Sequence, residues 1–235
     1  MNSMLQVLEQ QMGRCTMPAA MQQLAAYIEA LPHSRRRQAG ACMAHTLLPQ
    51  CTDDLFWSLF GFLVARDSRA WLGTFLRACE ARHRQGAFSL QGEGACRVLD
   101  WMRVQGTPID RKKLLECMVG LFADVPEELE HLLDVLHMSD ARQRLSCLLP
   151  HVGVGVYYLL FRAMRELEHD RELLARCCRY LMAKGDGLSF NMASVACAYF
   201  GLEEVRATFS LRLAPFQLGR MEGSYQHFKE LLLSM

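Results

Sequence analysis

The chain has 235 residues, of which 51% are hydrophobic, 22% charged and 9% aromatic. This composition is typical of a globular protein and excludes disordered and collagen-like classes. Because 26 Lys and Arg residues nearly balance 25 Asp and Glu residues, the net charge of +1 gives no global field that would attract nucleic acid or an anionic membrane. Leu occurs 37 times, whereas the strand-favouring residues Val, Ile and Thr together number 20, so the sequence predicts an all-α fold.

The cysteines and the chain start indicate the compartment. None of the ten cysteines forms a C-x-x-C pair, which argues against zinc fingers, zinc ribbons and thioredoxin-type redox pairs. Several of them, such as Cys79 and Cys178, lie on apolar helix faces where a thiol packs as a small hydrophobe, so we expect a reducing compartment. The first residues resemble neither a secretory signal nor a transit peptide, and no uncharged apolar run is long enough to span a bilayer. We predict a cytoplasmic protein without membrane association, with the mitochondrial matrix as the alternative.

Proline and capping residues divide the chain into short helices. The seven prolines fall between apolar-periodic stretches or in a first helical turn, where a missing N–H does little harm. Thr107 with Asp110 and Asp124 with Glu127 resemble capping boxes. Ser, Thr and Asp side chains that can accept a bond from a free first-turn N–H indicate roughly twelve or thirteen helices. The predicted starts are Thr16, Ser34, Thr52, Ser68, Ser89, Thr107, Asp124, Ser139, Asp170, Ser189 and Ser224.

Two parts of the sequence resemble each other. Residues 31–38 align with residues 136–143 and keep Leu, Ser, Arg and Gln in register, and residues 48–60 align with residues 149–161. Further along, Asp67 aligns with Asp170 after a short insertion. Because the offsets stay within a few residues of one another, we predict that residues 16–105 are duplicated in residues 124–205, within a single helical-repeat domain spanning residues 1–235.

The helices of each copy form predicted hairpins, which begin near residues 16, 50, 88, 124, 151 and 188. A unit of two helices cannot bury its apolar faces alone, so stacked neighbours must supply the core. The stretch 55–63 is apolar nearly all round and belongs between layers, where truncation of Phe60 to Ala is expected to cost about 3 to 5 kcal/mol. We therefore predict a right-handed α-α superhelix, or solenoid, of about six helical hairpins. A compact multi-helix bundle is the alternative.

Two phrases of the sequence carry a resemblance to a known family. They are Phe88-Ser-Leu-Gln followed by Cys96-Arg-Val-Leu99, and Leu188-Ser-Phe-Asn followed by Ala196-Cys-Ala-Tyr-Phe200. Their spacing resembles the helical hairpin repeats of octotricopeptide and FAST-kinase-domain proteins of organelles, over residues 50–105 and 151–205 at most. The resemblance implies RNA processing or ribosome-linked work in mitochondria or chloroplasts.

Several patterns suggest chemistry but remain incomplete. Residues 128–131 and 166–169 both read Glu-Leu-Glu-His, a spacing used by di-iron carboxylate helices, but the helical period places them off the apolar stripe. Cys79 and His83 share one helix face without a third group, and residues 151–155, His-Val-Gly-Val-Gly, lack the rest of a phosphate-binding motif. We predict no catalytic residue, metal, cofactor or small-molecule substrate, and hence no enzyme.

Basic clusters are the better candidates for function. Residues 35–37 are three arginines that open a predicted helix whose dipole they oppose, and residues that break a local rule are candidates for binding. The predicted binding residues are Arg35, Arg36, Arg37, Arg82, Arg84, Arg111, Lys112 and Lys113.

The sequence thus predicts a protein that works by presenting a surface. We expect a non-enzymatic helical-repeat adaptor or scaffold subunit that binds a protein partner within a larger assembly. The alternative is an RNA-binding organellar factor, for RNA processing or associated with the ribosome, whose basic clusters contact phosphates. The acidic stretch 124–134 could equally pair the chain with itself.

Overall fold

The computed structural model describes residues 22, 26, 27, 30–86, 88–210 and 228–230. These residues contain eleven α-helices, one π-helical turn and one 3-10 turn, and no strand, which confirms the predicted all-α class. The predicted helix starts at Thr16 and Ser224 lie outside the described residues. None of the helices in these ranges is long and apolar enough to cross a membrane. The chain divides into two compact units, Met1–Leu114 and Leu115–Met235.

The first unit is built around one apolar helix. Helix α2 packs against α3 and α4, and it is buried on most of its surface because its residues are aromatic or aliphatic on nearly every side. Phe56 and Phe60 both contact Phe75 of α3, with ring centroids 5.7 and 5.0 Å apart, and Trp57 stacks on Phe88. The elements are α1 (His33–Cys42), a π-helical turn (Met43–Leu47), a 3-10 turn (Leu48–Gln50), α2 (Asp53–Arg66), α3 (Ser68–Arg84), α4 (Glu93–Gln105) and the first turns of α5 (Pro108–Leu121).

The second unit surrounds a helix that contains no charged residue. Helix α10 is buried without interruption from Ser189 to Cys197, and it packs against α8, α9 and α11. Helix α8 contacts α6 and α7 as well. The elements are α6 (Pro126–Val135), α7 (Ala141–Leu148), α8 (Val154–Glu166), α9 (Arg171–Ala183), α10 (Gly187–Phe200) and α11 (Glu203–Ser210).

Two predicted helix caps are made as expected. The Asp170 carboxylate accepts from the Leu173 amide at the start of α9. Thr107 caps the start of α5, since the Asp110 amide donates to the Thr107 hydroxyl at 3.2 Å, and that hydroxyl donates in turn to the Asp110 carboxylate at 2.7 Å. The predicted start at Thr52 is also confirmed as the position before α2, although its side chain makes no capping bond.

Other predicted starts are displaced by a few residues. Asp67, Asp140 and Asp186 cap α3, α7 and α10 where Ser68, Ser139 and Ser189 were expected, because an aspartate also brings negative charge to the positive end of the helix dipole. Two further starts are displaced and have no side-chain capping bond. Helix α1 begins at His33 after Pro32, not after Ser34, and α4 begins at Glu93 after Gly92, not after Ser89.

The predicted capping box of Asp124 and Glu127 is wrong. Helix α6 begins at Pro126, and Asp124 caps a different helix, because its carboxylate accepts from the Val154 amide of α8 at 2.8 Å. This contact joins residues 30 positions apart in the chain. It therefore could not be found from local spacing.

In each unit, a cation at the end of one helix bonds to backbone carbonyls in the turn before an earlier helix. In the first unit, the Arg82 guanidinium at the end of α3 donates to the carbonyls of Leu48 and Pro49, just before α2, at 3.1 and 3.5 Å. In the second unit, the Lys184 ammonium at the end of α9 donates to the carbonyl of Pro150, just before α8, at 2.9 Å. The two prolines are aligned in the predicted duplication. The duplication of residues 16–105 in residues 124–205, and the single repeat domain, stay predictions.

Candidate binding surface

The candidate metal and anion positions are engaged in contacts within the fold. Glu128 is buried, and the Glu166 carboxylate pairs with Arg144. At the glycine loop before α8, the amides of Val154 and Val156 donate to Asp124 and to the carbonyl of residue 123, so they do not face a ligand. In the part of the chain that the structure describes, no three or more His, Cys, Asp or Glu side chains are grouped to hold a metal ion.

Arg82 does not belong to an exposed binding surface, and its prediction as an exposed contact residue is wrong. Its side chain is buried, and the residue is only 3% exposed. The guanidinium donates to the carbonyls of Leu48 and Cys51, pairs with Asp53, and lies over the ring of Phe56 at 4.8 Å. A buried guanidinium needs several acceptors, and the turn before α2 supplies them. Arg82 therefore ties the end of α3 to the turn before α2.

Arg84 and the arginines of α1 are placed as separate surface groups. Arg84 is exposed in the last turn of α3, where a cation complements the helix dipole, and its Nε lies 3.3 Å from the Glu80 carbonyl. Arg35 and Arg36 are exposed in the first turn of α1, and Arg36 donates to the carbonyl of Leu31 at 2.7 Å. Arg37 lies in the same helix, and its side chain is outside the described part.

Arg111, Lys112 and Lys113 are the predicted residues that the structure places in one exposed cluster. They lie in the first turns of α5, after a short turn that follows α4. The Arg111 guanidinium donates to the carbonyl of Arg103 in the last turn of α4 at 2.8 Å, which ties the two helix ends together.

The same corner exposes two large aliphatic side chains that the sequence reasoning missed. Val104 ends α4 and is 59% exposed, and Ile109 begins α5 and is 66% exposed. We call these two residues with Arg111, Lys112 and Lys113 the basic corner. One sequence signal was present, because Ile109 lies beside Thr107 and Pro108 in a predicted first helical turn, where no core face is yet formed.

The charge of the basic corner is positive. Residues 100–113 contain four cations, Arg103, Arg111, Lys112 and Lys113, against the two carboxylates Asp100 and Asp110, which gives a local net charge of +2. Asp110 is buried and accepts from the Thr107 hydroxyl, and Asp100 pairs with Arg103 at 2.6 Å. Glu116 adds one exposed carboxylate one turn further along α5, so the three exposed cations of α5 exceed it by two charges.

A buried polar chain in the second unit was also missed. The Asp186 carboxylate accepts from the Ser189 hydroxyl at 2.7 Å, and the same hydroxyl bonds to the Tyr157 hydroxyl of α8. Burial raises the pKa of Tyr157 to about 12. All three groups are satisfied by one another, and Tyr157 is fully buried, so this chain fixes α8 against α10.

Comparison of the chain with protein-family models, with curated proteins and with solved structures gives no match.

Proposed function

We propose that the protein is a non-enzymatic helical-repeat adaptor, which binds a protein partner within a larger assembly. The observation that carries this proposal is the basic corner, where Val104 and Ile109 stand exposed beside three cations. When a partner removes large aliphatic side chains from water, the free energy falls by about 25 cal/mol for each Å² of apolar surface buried. A corner of this kind is suited to contact with another protein.

The internal bonds of the polar side chains support the proposal. Arg82 binds backbone carbonyls, and Asp186, Ser189 and Tyr157 bind one another. These groups stabilise the packing of neighbouring helices within each unit. The surface is therefore where we place the activity of the molecule.

The repeated contact of Arg82 and Lys184 with a Leu-Pro turn supports a repeat architecture. In the first unit this contact joins the end of α3 to the turn before α2, against which α3 packs. In the second unit it joins the end of α9 to the turn before α8. Stacked hairpins form solenoids, which present extended surfaces to partners. Eight cysteines in the described part of the chain are thiols rather than halves of disulfides, which fits a reducing compartment, and we propose the cytoplasm.

RNA binding is the second candidate, favoured by the exposure of Arg111, Lys112 and Lys113 within one stretch of α5. Such a cluster can contact phosphates. The aliphatic residues beside it favour a protein, however, because sequence-tolerant RNA sites stack bases on aromatic rings.

Affinity purification of the tagged full-length chain from its native source, with and without ribonuclease, tests the proposal. We expect defined proteins to co-purify in constant ratio and to remain bound after ribonuclease treatment. Recovery of the chain alone, or loss of every partner on RNA digestion, would overturn the proposal, and the second result would favour the RNA-binding factor.

A further inference from the structure

We infer that the basic corner is a docking site for an acidic segment of a protein partner that carries aliphatic side chains. This inference rests on the proposed function and names the site through which it acts. It is carried by the exposure, charge and internal bonding of the corner.

The apolar half of the site is formed by Val104 and Ile109. Both are more than half exposed, at 59% and 66%. They lie in adjacent helix ends joined by Gly106 and Thr107, and Arg111 bonds α5 to the carbonyl of the residue before Val104. The two aliphatic groups are thereby held at the same corner, and covering them requires apolar side chains from the partner.

The charged half of the site defines the chemistry of the partner. Arg111, Lys112 and Lys113 are exposed, and Glu116, one turn further along α5, is an exposed carboxylate beside them. The carboxylate of Asp110 is buried and that of Asp100 pairs with Arg103, so positive charge is in excess at the corner. The positive end of the α5 dipole adds to the same field. An approaching carboxylate meets attraction from several groups, so the complementary partner segment is acidic.

The corner is held in shape before any partner arrives. Thr107 and Asp110 bond each other in both directions at 3.2 and 2.7 Å, and Arg111 is bonded to α4 at 2.8 Å. A partner therefore does not have to order this backbone on binding, which lowers the entropic cost of association.

Other polyanions fit the corner less well than an acidic peptide does. An RNA backbone would satisfy the cations but would leave Val104 and Ile109 uncovered, since neither offers an aromatic ring for base stacking. An anionic membrane binds polybasic segments through larger sets of cations than the three of this corner. An acidic peptide with aliphatic residues covers both halves of the site.

Selection from a random peptide library displayed on messenger RNA, with the immobilised full-length protein as bait, tests the inference. The enriched peptides are then labelled, and their affinities are measured by fluorescence anisotropy against the wild type, Ile109→Asp and the double variant Lys112→Glu/Lys113→Glu. We expect peptides rich in Asp, Glu and aliphatic residues, which bind each variant about tenfold more weakly or worse.

Two control variants make the same charge changes at exposed positions outside the basic corner. Val152→Asp introduces the same charge at an exposed aliphatic residue of the second unit, and Arg176→Glu/Arg179→Glu reverses two exposed cations on α9. Both controls should bind the selected peptides like the wild type. Circular dichroism establishes that each variant is folded, and the charge-reversal pair provides a second test if Ile109→Asp is not.

The inference is overturned if no acidic peptide is enriched, or if the selected peptides bind both corner variants as tightly as the controls. It is also overturned if single-stranded RNA, or vesicles of phosphatidylserine and phosphatidylcholine, bind the corner more tightly than the peptides do. Failure of the proposed function is distinguishable, because in that case the native chain has no protein partner. If instead the Lys112→Glu/Lys113→Glu chain keeps all its native partners, only the site is wrong.

Discussion

Arg82 and Arg84 are two residues apart, but Arg82 is buried and binds backbone carbonyls whereas Arg84 is exposed to solvent. We expect Arg82→Met to lower the free energy of unfolding by about 3 kcal/mol, because the carbonyls of Leu48 and Cys51 lose the guanidinium that donates to them while the apolar stem over Phe56 is kept. Urea denaturation followed by circular dichroism measures the change. Arg84→Met is the control and should stay within about 0.5 kcal/mol of the wild type, since Arg84 is exposed. Equal losses in the two variants would show that Arg82 is not a structural tie.

Tyr157 makes the stability of the protein sensitive to alkaline pH. Burial raises the pKa of its phenol from the ordinary value of 10.0 to about 12 in the folded protein. A raised pKa favours the protonated form, so this contribution is complete below pH 10 and is lost as pH rises from 10 to about 12. Over that window we expect the wild type to lose about 2 kcal/mol more than Tyr157→Phe does.

Denaturation curves of both proteins near neutral pH and through the alkaline window measure this difference. Near neutrality, Tyr157→Phe should be less stable by about 1 kcal/mol, since it loses the hydrogen bond to Ser189. The exposed Tyr180→Phe is the control and should follow the wild-type decline. A Tyr157→Phe protein that declines in parallel with the wild type would contradict the assignment.

At this scale, the sequence predicts which residues are charged but not which ones are exposed. Arg82 and Arg84 have the same local surroundings in the sequence, and only the packing of α3 beside the turn before α2 buries one of them. The positive charge of the basic corner can be predicted from the sequence of residues 111–113 alone. The exposure of Ile109 is indicated locally by its place in a first helical turn, whereas that of Val104 depends on how α4 and α5 meet, which no local pattern contains.

The start of α8 depends on glycine for close packing rather than for an unusual backbone. A Cβ atom on Gly153 would lie 2.4 Å from the Ala123 carbonyl oxygen, whereas the backbone of Gly153 is extended, with φ 168°. We expect Gly153→Ala to lower the free energy of unfolding by about 3 kcal/mol, because α8 must move away from the segment before α6.

Gly73→Ala is the matched control in this experiment. Gly73 is exposed within α3, and the nearest atom to an added Cβ is 3.9 Å away, so alanine should stabilise the protein by about 0.5 to 1 kcal/mol through its higher helix propensity. Thermal and urea unfolding of the two variants should move in opposite directions. A neutral Gly153→Ala would mean that the contact with Ala123 relaxes at little cost.

The helices themselves are predictable from the sequence, and their exact starts are less so. Prolines and capping residues mark nearly every helix because both act within one turn of the chain. Thr107 and Asp170 were predicted correctly for this reason, whereas aspartates replaced the neighbouring serines at Asp67 and Asp140. Asp124 shows the limit, since its partner in α8 is brought near only by tertiary packing.

For the whole molecule, composition is enough to predict the all-α class, because it depends on the scarcity of strand-favouring residues rather than on any contact. The predicted duplication, by contrast, depends on contacts. It requires that aligned positions of the two units make the same tertiary bonds and helix caps. Arg82 and Lys184 make one such pair of bonds, to the carbonyls of Pro49 and Pro150. The carboxylate caps of Asp67 and Asp170, at the starts of α3 and α9, are another such pair.

The bonds of Lys184 and Arg82 to backbone carbonyls should each stabilise the helices that they join. We expect Lys184→Ala to increase hydrogen exchange in α8 and α9, because the carbonyls of Pro150 and His151 lose their donor, with a cost of about 1 to 2 kcal/mol. Arg82→Met should increase exchange in α2 and α3 instead. Hydrogen exchange followed by mass spectrometry resolves both effects along the chain.

Lys184→Arg is the rescue variant, because it keeps a cation that can donate to the same two carbonyls. It should restore most of the protection that Lys184→Ala removes from α8 and α9. If Lys184→Ala leaves exchange in these helices unchanged, the lysine is a surface group and the two units are not closed by equivalent contacts. The structural argument for duplication would then depend on the carboxylate caps alone.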